Sequence, residues 1–86
     1  MNQNKLHEII IELPEGYSES IVDGKRYGIS KQSFNDGKSL KVYAEELGGN
    51  DFISFNYYLT SNPVLKPCEM PIQKVTDFLG SLDHNK

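Results

Sequence analysis

The chain has 86 residues, which is enough for one small domain (1–86) with a thin hydrophobic core. Twelve Asp and Glu against nine Lys and Arg residues argue against general nucleic-acid binding, which usually depends on a basic field. The one cysteine, Cys68, excludes an intramolecular disulfide and a cysteine-based zinc site.

The N-terminal segment contains no apolar run of the length that a signal peptide or a membrane helix requires. Its apolar run extends only from Ile9 to Ile11 and is flanked by Glu8 and Glu12. A signal-peptide core needs about 7–15 apolar residues, and a membrane-spanning helix needs about 20. We therefore expect a soluble cytoplasmic protein that does not enter a membrane.

Residues 5–13 are compatible with either a helix or a strand. Four apolar residues recur at helical spacing: Leu6, Ile9, Ile10 and Leu13. Asn4 is a suitable N-cap for such a helix, and Pro14 would end it. The alternative is a strand, favoured by the three β-branched isoleucines. We favour the helix.

Three turn signals at nearly even spacing predict an antiparallel meander. They are Asp23-Gly24, Asn35-Asp36-Gly37 and Gly48-Gly49-Asn50-Asp51. Asp-Gly between alternating or β-branched runs is a strong hairpin signal, because glycine adopts a positive φ without steric cost. The predicted strands are 18–22, 25–34, 39–46 and 52–60, followed by a short, proline-bounded edge strand at 64–68.

Alternation along these strands predicts one buried and one wet face of the sheet. The predicted inward residues are Tyr27, Ile29, Leu40, Val42, Ala44, Ile53, Phe55, Tyr57 and Leu59. Gly28 interrupts the second strand, which indicates either a bulge or a close approach of another group to the backbone.

A second helix is predicted near the C-terminus. Pro71 suits its first turn, and Gly80 is a plausible stop. Its apolar stripe consists of Ile72, Val75, Phe78 and Leu79. Segments 1–4 and 81–86 are expected to be flexible tails. The fold class is therefore α+β: an antiparallel meander of three to five strands with both helices packed on one face.

The outward face of the meander is the candidate binding surface. Its candidate residues are Arg26, Lys41, Tyr43, Asn56 and Tyr58. Tyrosine and arginine are enriched at protein interfaces, which favours a protein partner or a homodimer. Two alternatives stay open: a stacking platform for single-stranded nucleic acid, and an ordinary solvated sheet face.

Cys68 is the candidate catalytic residue. It precedes the helix that Pro71 would open, and the partial positive charge of a helix N-terminus lowers the pKa of a nearby thiol. Glu69 would oppose that effect. The alternative is a buried, unreactive cysteine that packs as a small hydrophobe.

Other constellations predict no cofactor and no metal. His7 and His84 lack the spacing of metal ligands. Glu45 and Glu46 are adjacent on a strand and point to opposite faces, so they cannot form a catalytic dyad. The sequence therefore favours a binding role over catalysis.

Three segments carry a resemblance to a known group of proteins: 24–28 (GKRYG), 40–49 (LKVYAEELGG) and 65–71 (LKPCEMP). From Leu13 to Leu79 the chain resembles a group of short bacterial proteins that has no established function. Some members are described as peptide methionine sulfoxide reductases, which would imply thiol chemistry at Cys68. Those reductases place their cysteine in a Gly-Cys-Phe-Trp-like context, whereas Cys68 follows Pro67 and the chain has no tryptophan.

Overall fold

The computed structural model describes residues 3–84 and shows the expected α+β meander. Its elements in chain order are α1 (Gln3–Glu12), β1 (Gly16–Val22), β2 (Lys25–Phe34), β3 (Ser39–Glu46), β4 (Phe52–Tyr58), β5 (Val64–Pro67) and α2 (Ile72–His84). The helical alternative for residues 5–13 is confirmed, since α1 covers all of that segment except Leu13. Within the described part of the chain, neither helix is long and apolar enough to cross a membrane.

The five strands form one open sheet in the order β1-β2-β3-β4-β5, and every neighbouring pair is antiparallel. The predicted bounds of β2 and β3 are confirmed. β1 begins two residues earlier than predicted, because Gly16 still pairs with Lys31. β4 ends at Tyr58, the last residue that pairs with β5, and β5 itself ends at Pro67.

The first hairpin shows why the turn signals were informative. Val22 and Lys25 pair across a two-residue loop, in which Asp23 has φ 53° and Gly24 has φ 79°. Two successive positive φ angles match the right-handed twist of the flanking strands, and Asp-Gly tolerates them. The hairpin therefore fixes the register of β1 on β2.

The core lies between the sheet and the two helices. All predicted inward strand residues are buried except Leu59, which is half-buried against the core. From the helices, Ile9, Ile10, Val75 and Leu79 are fully buried. The assignment of Ile72 to the apolar stripe of α2 is wrong, because Ile72 is the first residue of the helix and is 54% exposed.

The predicted stop at Gly80 is also wrong. α2 continues to His84, and Leu82 is only 6% exposed. A glycine within a helix costs about 1 kcal/mol relative to alanine, and burial of a leucine side chain contributes about 1.5–3 kcal/mol. Residues 1, 2, 85 and 86, which belong to the segments predicted to be flexible, lie outside the described residues.

Lys31 occupies an inward position that the prediction left out. Its side chain is buried, and Nζ donates hydrogen bonds to the carbonyl oxygens of Ile11 at 3.0 Å and Leu13 at 2.8 Å. The last turn of α1 carries no basic residue of its own. Lys31 therefore caps the C-terminus of α1 from the sheet and satisfies carbonyl groups that the helix leaves unpaired.

Gly28 marks a close approach and not a bulge. The register of β2 with both neighbours is continuous, and the Tyr17 ring covers the site where a Cβ atom on Gly28 would lie. Tyr17 also donates a hydrogen bond to Glu19 at 3.2 Å. The absence of a side chain at Gly28 is what lets this ring lie against the sheet.

Candidate functional site

The sheet face opposite the helices carries a large share of the exposed hydrophobic surface. We call this surface the open face. Six of its large side chains are exposed: Tyr17, Ile21, Phe34, Tyr43, Phe52 and Tyr58. Cross-strand pairing places all six on the side of the sheet opposite the core residues, and at one end Lys74 Nζ of α2 lies 5.4 Å from the centroid of the Phe52 ring. Polar and charged side chains lie between them, among them Lys41, Asn56 and Glu45 on the central strands. Exposed aromatic residues on one face favour an interaction site.

The centre of the open face is the middle strand, β3. Tyr43 pairs with Ser30 on β2 and Ser54 on β4, and its ring stacks on Phe52 with 6.2 Å between centroids. Two residues away along the strand on either side lie Lys41 and Glu45. The centre is therefore aromatic, with one positive and one negative side chain flanking it.

The predicted binding residues all lie on the open face, but the structure divides them. Lys41 and Asn56 are direct cross-strand partners beside Tyr43, so these three lie together. Tyr58 lies at one end of the strands. Arg26 lies near the other end, where its guanidinium donates to Glu19 at 2.7 Å.

The charges on this face are mixed. Two carboxylates, Glu19 and Glu45, lie among the cations Arg26, Lys41 and Lys66. Arg26 is already paired with Glu19. A surface that binds single-stranded nucleic acid combines aromatic residues with a predominantly basic groove. The open face has the aromatic residues without that basic groove.

Cys68 lies half-buried at the β5 edge of the open face. Its backbone N–H donates to the Ser54 carbonyl at 2.9 Å, which extends the β4–β5 ladder by one residue. Two side-chain donors approach the sulfur: Lys41 Nζ at 3.2 Å and Asn56 Nδ2 at 3.6 Å. The thiol is thus surrounded by hydrogen-bond donors.

Hydrogen-bond donors on the neighbouring strands, Ser54 first and then Lys41, lower the pKa of the Cys68 thiol below its ordinary value of 9.0. The largest cause is a hydrogen bond from the Ser54 side chain, and the Lys41 ammonium acts in the same direction. Partial burial and the Glu69 carboxylate oppose the shift. The cause is therefore donors on neighbouring strands, whereas the sequence had suggested the N-terminus of the following helix.

Cys68 lines neither of the two main cavities. The larger cavity, about 590 Å³, lies between α1, the β4–β5 connection and the start of α2. The smaller one, about 220 Å³, lies beside Asp51 and Lys74. The half-buried thiol therefore lies at the edge of the sheet, apart from both of these cavities.

The smaller cavity contains a polar cluster that ties the β3–β4 turn to α2. Asp51 accepts a hydrogen bond from the Tyr27 hydroxyl at 2.9 Å. It also forms an ion pair with Lys74, whose Nζ lies 2.9 Å from the carboxylate. Burial, with the Asp51 carboxylate second, raises the pKa of Tyr27 to about 12. The tyrosine therefore stays protonated and acts as a donor, and the cluster is structural.

Sequence reasoning missed the partners of Cys68. Asn56 was predicted to be an outward residue, and Ser54 lies two positions before it on the same face, but their proximity to Cys68 depends on the β4–β5 register. That register is set across the loop between Tyr58 and Val64 and is not visible in the alternation pattern. Within residues 3–84, no three His, Cys, Asp or Glu side chains are grouped so that they could hold a metal ion.

Comparisons with protein-family models, curated proteins and solved structures found no match to this chain. The resemblance to short bacterial proteins therefore stays an expectation.

Proposed function

We propose that this protein is a small interaction module that forms a homodimer through its open face. The observation that supports this most directly is the asymmetry of the sheet: both helices cover one face, while six large hydrophobic side chains are exposed on the other. Aromatic residues are enriched at protein interfaces, and two sheets pack face to face at about 10 Å with interdigitating side chains. A second copy supplies such a sheet.

The size of the open face suits a dimer of ordinary affinity. Five strands spaced about 4.8 Å apart, each about seven residues long at about 3.4 Å per residue, give a flat outline of roughly 24 Å by 24 Å. The side chains add relief, so the accessible surface exceeds this outline of about 580 Å². A typical specific interface buries about 800 Å² per partner.

The charges at the centre of the open face are self-complementary. A two-fold axis that runs across the strands through Tyr43 places Lys41 of one copy opposite Glu45 of the other, and the reverse. Such an arrangement forms two equivalent ion pairs around a pair of tyrosines. An isologous interface requires this kind of self-complementary surface. We place the homodimer in the cytoplasm, where its free thiol stays reduced.

Sedimentation velocity over a concentration series tests the homodimer. We expect a concentration-dependent dimer for the unmodified chain and a monomer for Tyr43→Lys. The control is Ile11→Lys on α1, because Ile11 is 42% exposed and Tyr43 is 40% exposed. An unmodified chain that stays monomeric at every concentration would contradict the proposal. Equal dimerisation of the two variants would contradict it as well.

A charge exchange tests the orientation of the two copies. Lys41→Glu and Glu45→Lys each place like charges opposite one another, and each should weaken the dimer by about tenfold or more, or about 1.4 kcal/mol. The double variant exchanges the two signs and should restore most of the affinity. A double variant that dimerises no better than the single variants would exclude this axis.

We infer a second candidate function from the donors around Cys68, which favour a reactive thiolate. In sulfoxide reduction, the thiolate would attack the sulfoxide sulfur. The oxygen would pass from the sulfoxide to Cys68, with uptake of one proton from water to give a sulfenic acid, and the sulfoxide would leave as a thioether. Because the chain has one cysteine, two thiols of an external reductant would then convert the sulfenic acid to the thiol, and they would leave as a disulfide with release of water.

The pH dependence of alkylation tests this second function. If the hydrogen bond from Ser54 lowers the pKa of Cys68, iodoacetamide should react at a lower pH with the unmodified chain than with Ser54→Ala. Ser33→Ala is the control, since Ser33 is an exposed serine on β2 that bonds Glu15. A reaction that follows an ordinary thiol in all three proteins would exclude a catalytic Cys68.

A further inference from the structure

The larger cavity lies apart from the open face and is mainly apolar. It opens between the first turns of α1, the β4–β5 connection and the first residue of α2. It is lined by Asn4, Leu6, His7, Tyr57, Pro63, Val64, Leu65 and Ile72. Its volume of about 590 Å³ falls in the range of roughly 300–1,000 Å³ that is typical of small-molecule sites.

Two polar side chains meet in this cavity. His7 Nδ1 and the Tyr57 hydroxyl are 2.7 Å apart, and their rings are tilted with 5.7 Å between centroids. Tyr57 is buried in the sheet, and His7 is half-buried on α1. The pair connects the helix to the sheet and leaves the second ring nitrogen of His7, Nε2, for another partner.

The tautomer of His7 determines whether Nε2 donates or accepts a hydrogen bond. Burial raises the pKa of Tyr57, so its phenol stays protonated. Within residues 3–84, the acceptor that the structure gives this phenol is His7 Nδ1. A tyrosine hydroxyl can both donate and accept, so the role of each partner depends on the imidazole tautomer. In the tautomer that carries its proton on Nε2, the phenol donates to Nδ1. In this tautomer the His7 ring presents an N–H donor, and the Asn4 amide at the same cavity carries further N–H donors.

The remaining surface of the cavity selects for apolar ligands. Among the described residues, no Asp, Glu, Lys or Arg lines it. Two aliphatic side chains at its rim are exposed, Ile72 at 54% and Val64 at 41%. A ligand that covers them gains the burial of apolar surface, about 25 cal/mol per Å². The polar side chains among the described lining residues are those of Asn4, His7 and Tyr57.

We propose that this cavity binds a small molecule with an apolar chain that ends in a hydrogen-bond-accepting oxygen, as in a medium-chain carboxylic acid or ketone. The apolar chain lies against Leu6, Leu65 and Ile72. The oxygen accepts hydrogen bonds from the His7 imidazole and the Asn4 amide. This site is independent of the homodimer, because its polar pair lies on α1 and the core-facing side of β4.

Titration followed by amide and side-chain NMR shifts tests the proposal. The probes are decanoate, methyl octyl ketone and decylammonium, which share an apolar chain and differ in the end group. We expect saturable shifts at the cavity residues with decanoate or the ketone. The affinity for decylammonium should be lower by about tenfold or more. The comparison of decanoate with the ketone identifies whether the oxygen is charged. Equal binding of all three probes, or no saturable shift, would overturn the proposal.

A cavity-filling variant and its control distinguish binding in the cavity from non-specific binding, and a third variant tests His7. Leu65→Trp fills the cavity and should abolish the shifts, whereas Ile11→Trp, at an exposed position of α1 that does not line the cavity, should leave them unchanged. His7→Phe keeps a ring but removes the donor, so it should remove the preference for decanoate or the ketone over decylammonium. Retained preference in His7→Phe would overturn the assigned role of His7, and shifts spread over the open face would overturn the site. Sedimentation reads the dimer separately, so either proposal can fail alone.

Discussion

Replacement of Lys31 by methionine tests how the sheet holds α1 in place. The ammonium donates two hydrogen bonds to carbonyl oxygens at the end of that helix, at 3.0 Å from Ile11 and 2.8 Å from Leu13. A hydrogen bond with one charged partner contributes about 1.5–3 kcal/mol. Lys31→Met loses both bonds and leaves the two carbonyl groups without their donor, but it also removes a buried charge.

These opposing effects set the expected magnitude. Two such bonds amount to about 3–6 kcal/mol before the cost of burying the ammonium, which is several kcal/mol after relaxation. Methionine keeps most of the buried aliphatic stem. We therefore expect a net loss of about 2 kcal/mol in the free energy of unfolding, a large part of the stability of so small a domain.

Urea unfolding followed by circular dichroism measures the loss, with Lys25→Met as the control at an exposed lysine. The control should change the free energy of unfolding by no more than about 0.5 kcal/mol. Hydrogen exchange should also accelerate at the C-terminal end of α1 in Lys31→Met. A Lys31→Met protein as stable as the control, with unchanged exchange in α1, would refute the capping role.

The same lysine gives a signed pH dependence. Burial lowers the pKa of Lys31 in the folded chain from its ordinary 10.5, while Glu15 raises it to a smaller extent. The unfolded chain therefore binds this proton more tightly than the folded chain does. The contribution of Lys31 to stability should rise as the pH increases from the lowered pKa towards 10.5, relative to Lys31→Met. A difference that falls with pH in this window would contradict the assignment.

Three further predictions concern other parts of the fold. The pKa of Asp51 is lowered from 3.8, first by Lys74 and then by the Tyr27 hydroxyl, so its stabilisation is present above pH 3.8 and is lost as the pH falls through the lowered pKa. The stability difference between the unmodified chain and Asp51→Asn, measured by urea unfolding at decreasing pH, should therefore vanish in acid; a constant difference would contradict this. Gly28→Ala should raise the free energy of unfolding by about 0.5–1 kcal/mol in a Tyr17→Ala protein, because alanine loses less conformational freedom on folding. It should give no such gain in the unmodified chain, where the Tyr17 ring occupies the site of the new Cβ atom. Equal effects in both proteins would exclude the close approach. Ile53→Val, in the fully packed core, should cost about 0.5–1.5 kcal/mol in urea unfolding, and no measurable loss would show that the core there is loosely packed.

The central strands were predictable because they follow local rules, whereas the strand order was left open, since the short first and last strands could pair in more than one way. Asp23-Gly24 specifies a tight hairpin, and alternation around Val42 and Phe55 specifies the buried face. The continuation of α2 past Gly80 was not predictable from local rules. It depends on the burial of Leu82 against the rest of the core, which outweighs the poor helix propensity of glycine.

The sites depend on contacts between distant parts of the chain and were only partly predictable. The outward position of Tyr43 follows from alternation. The donors around Cys68 require the register of a strand that follows a loop, and the polar pair in the cavity joins His7 to Tyr57 across 50 positions. No periodic pattern in the sequence reveals a contact between residues so far apart in the chain. Lys31 was missed for the same reason, since its acceptors lie on a separate helix.

The most direct test of the homodimer is an isotope-filtered NOE experiment on a mixture of labelled and unlabelled protein. It reports only contacts between protons of different copies. We expect cross-peaks between the Tyr43 rings of the two copies and between the side chains of Lys41 and Glu45. Cross-peaks that arise from α1 or α2, or none at a concentration where sedimentation shows a dimer, would contradict association through the open face.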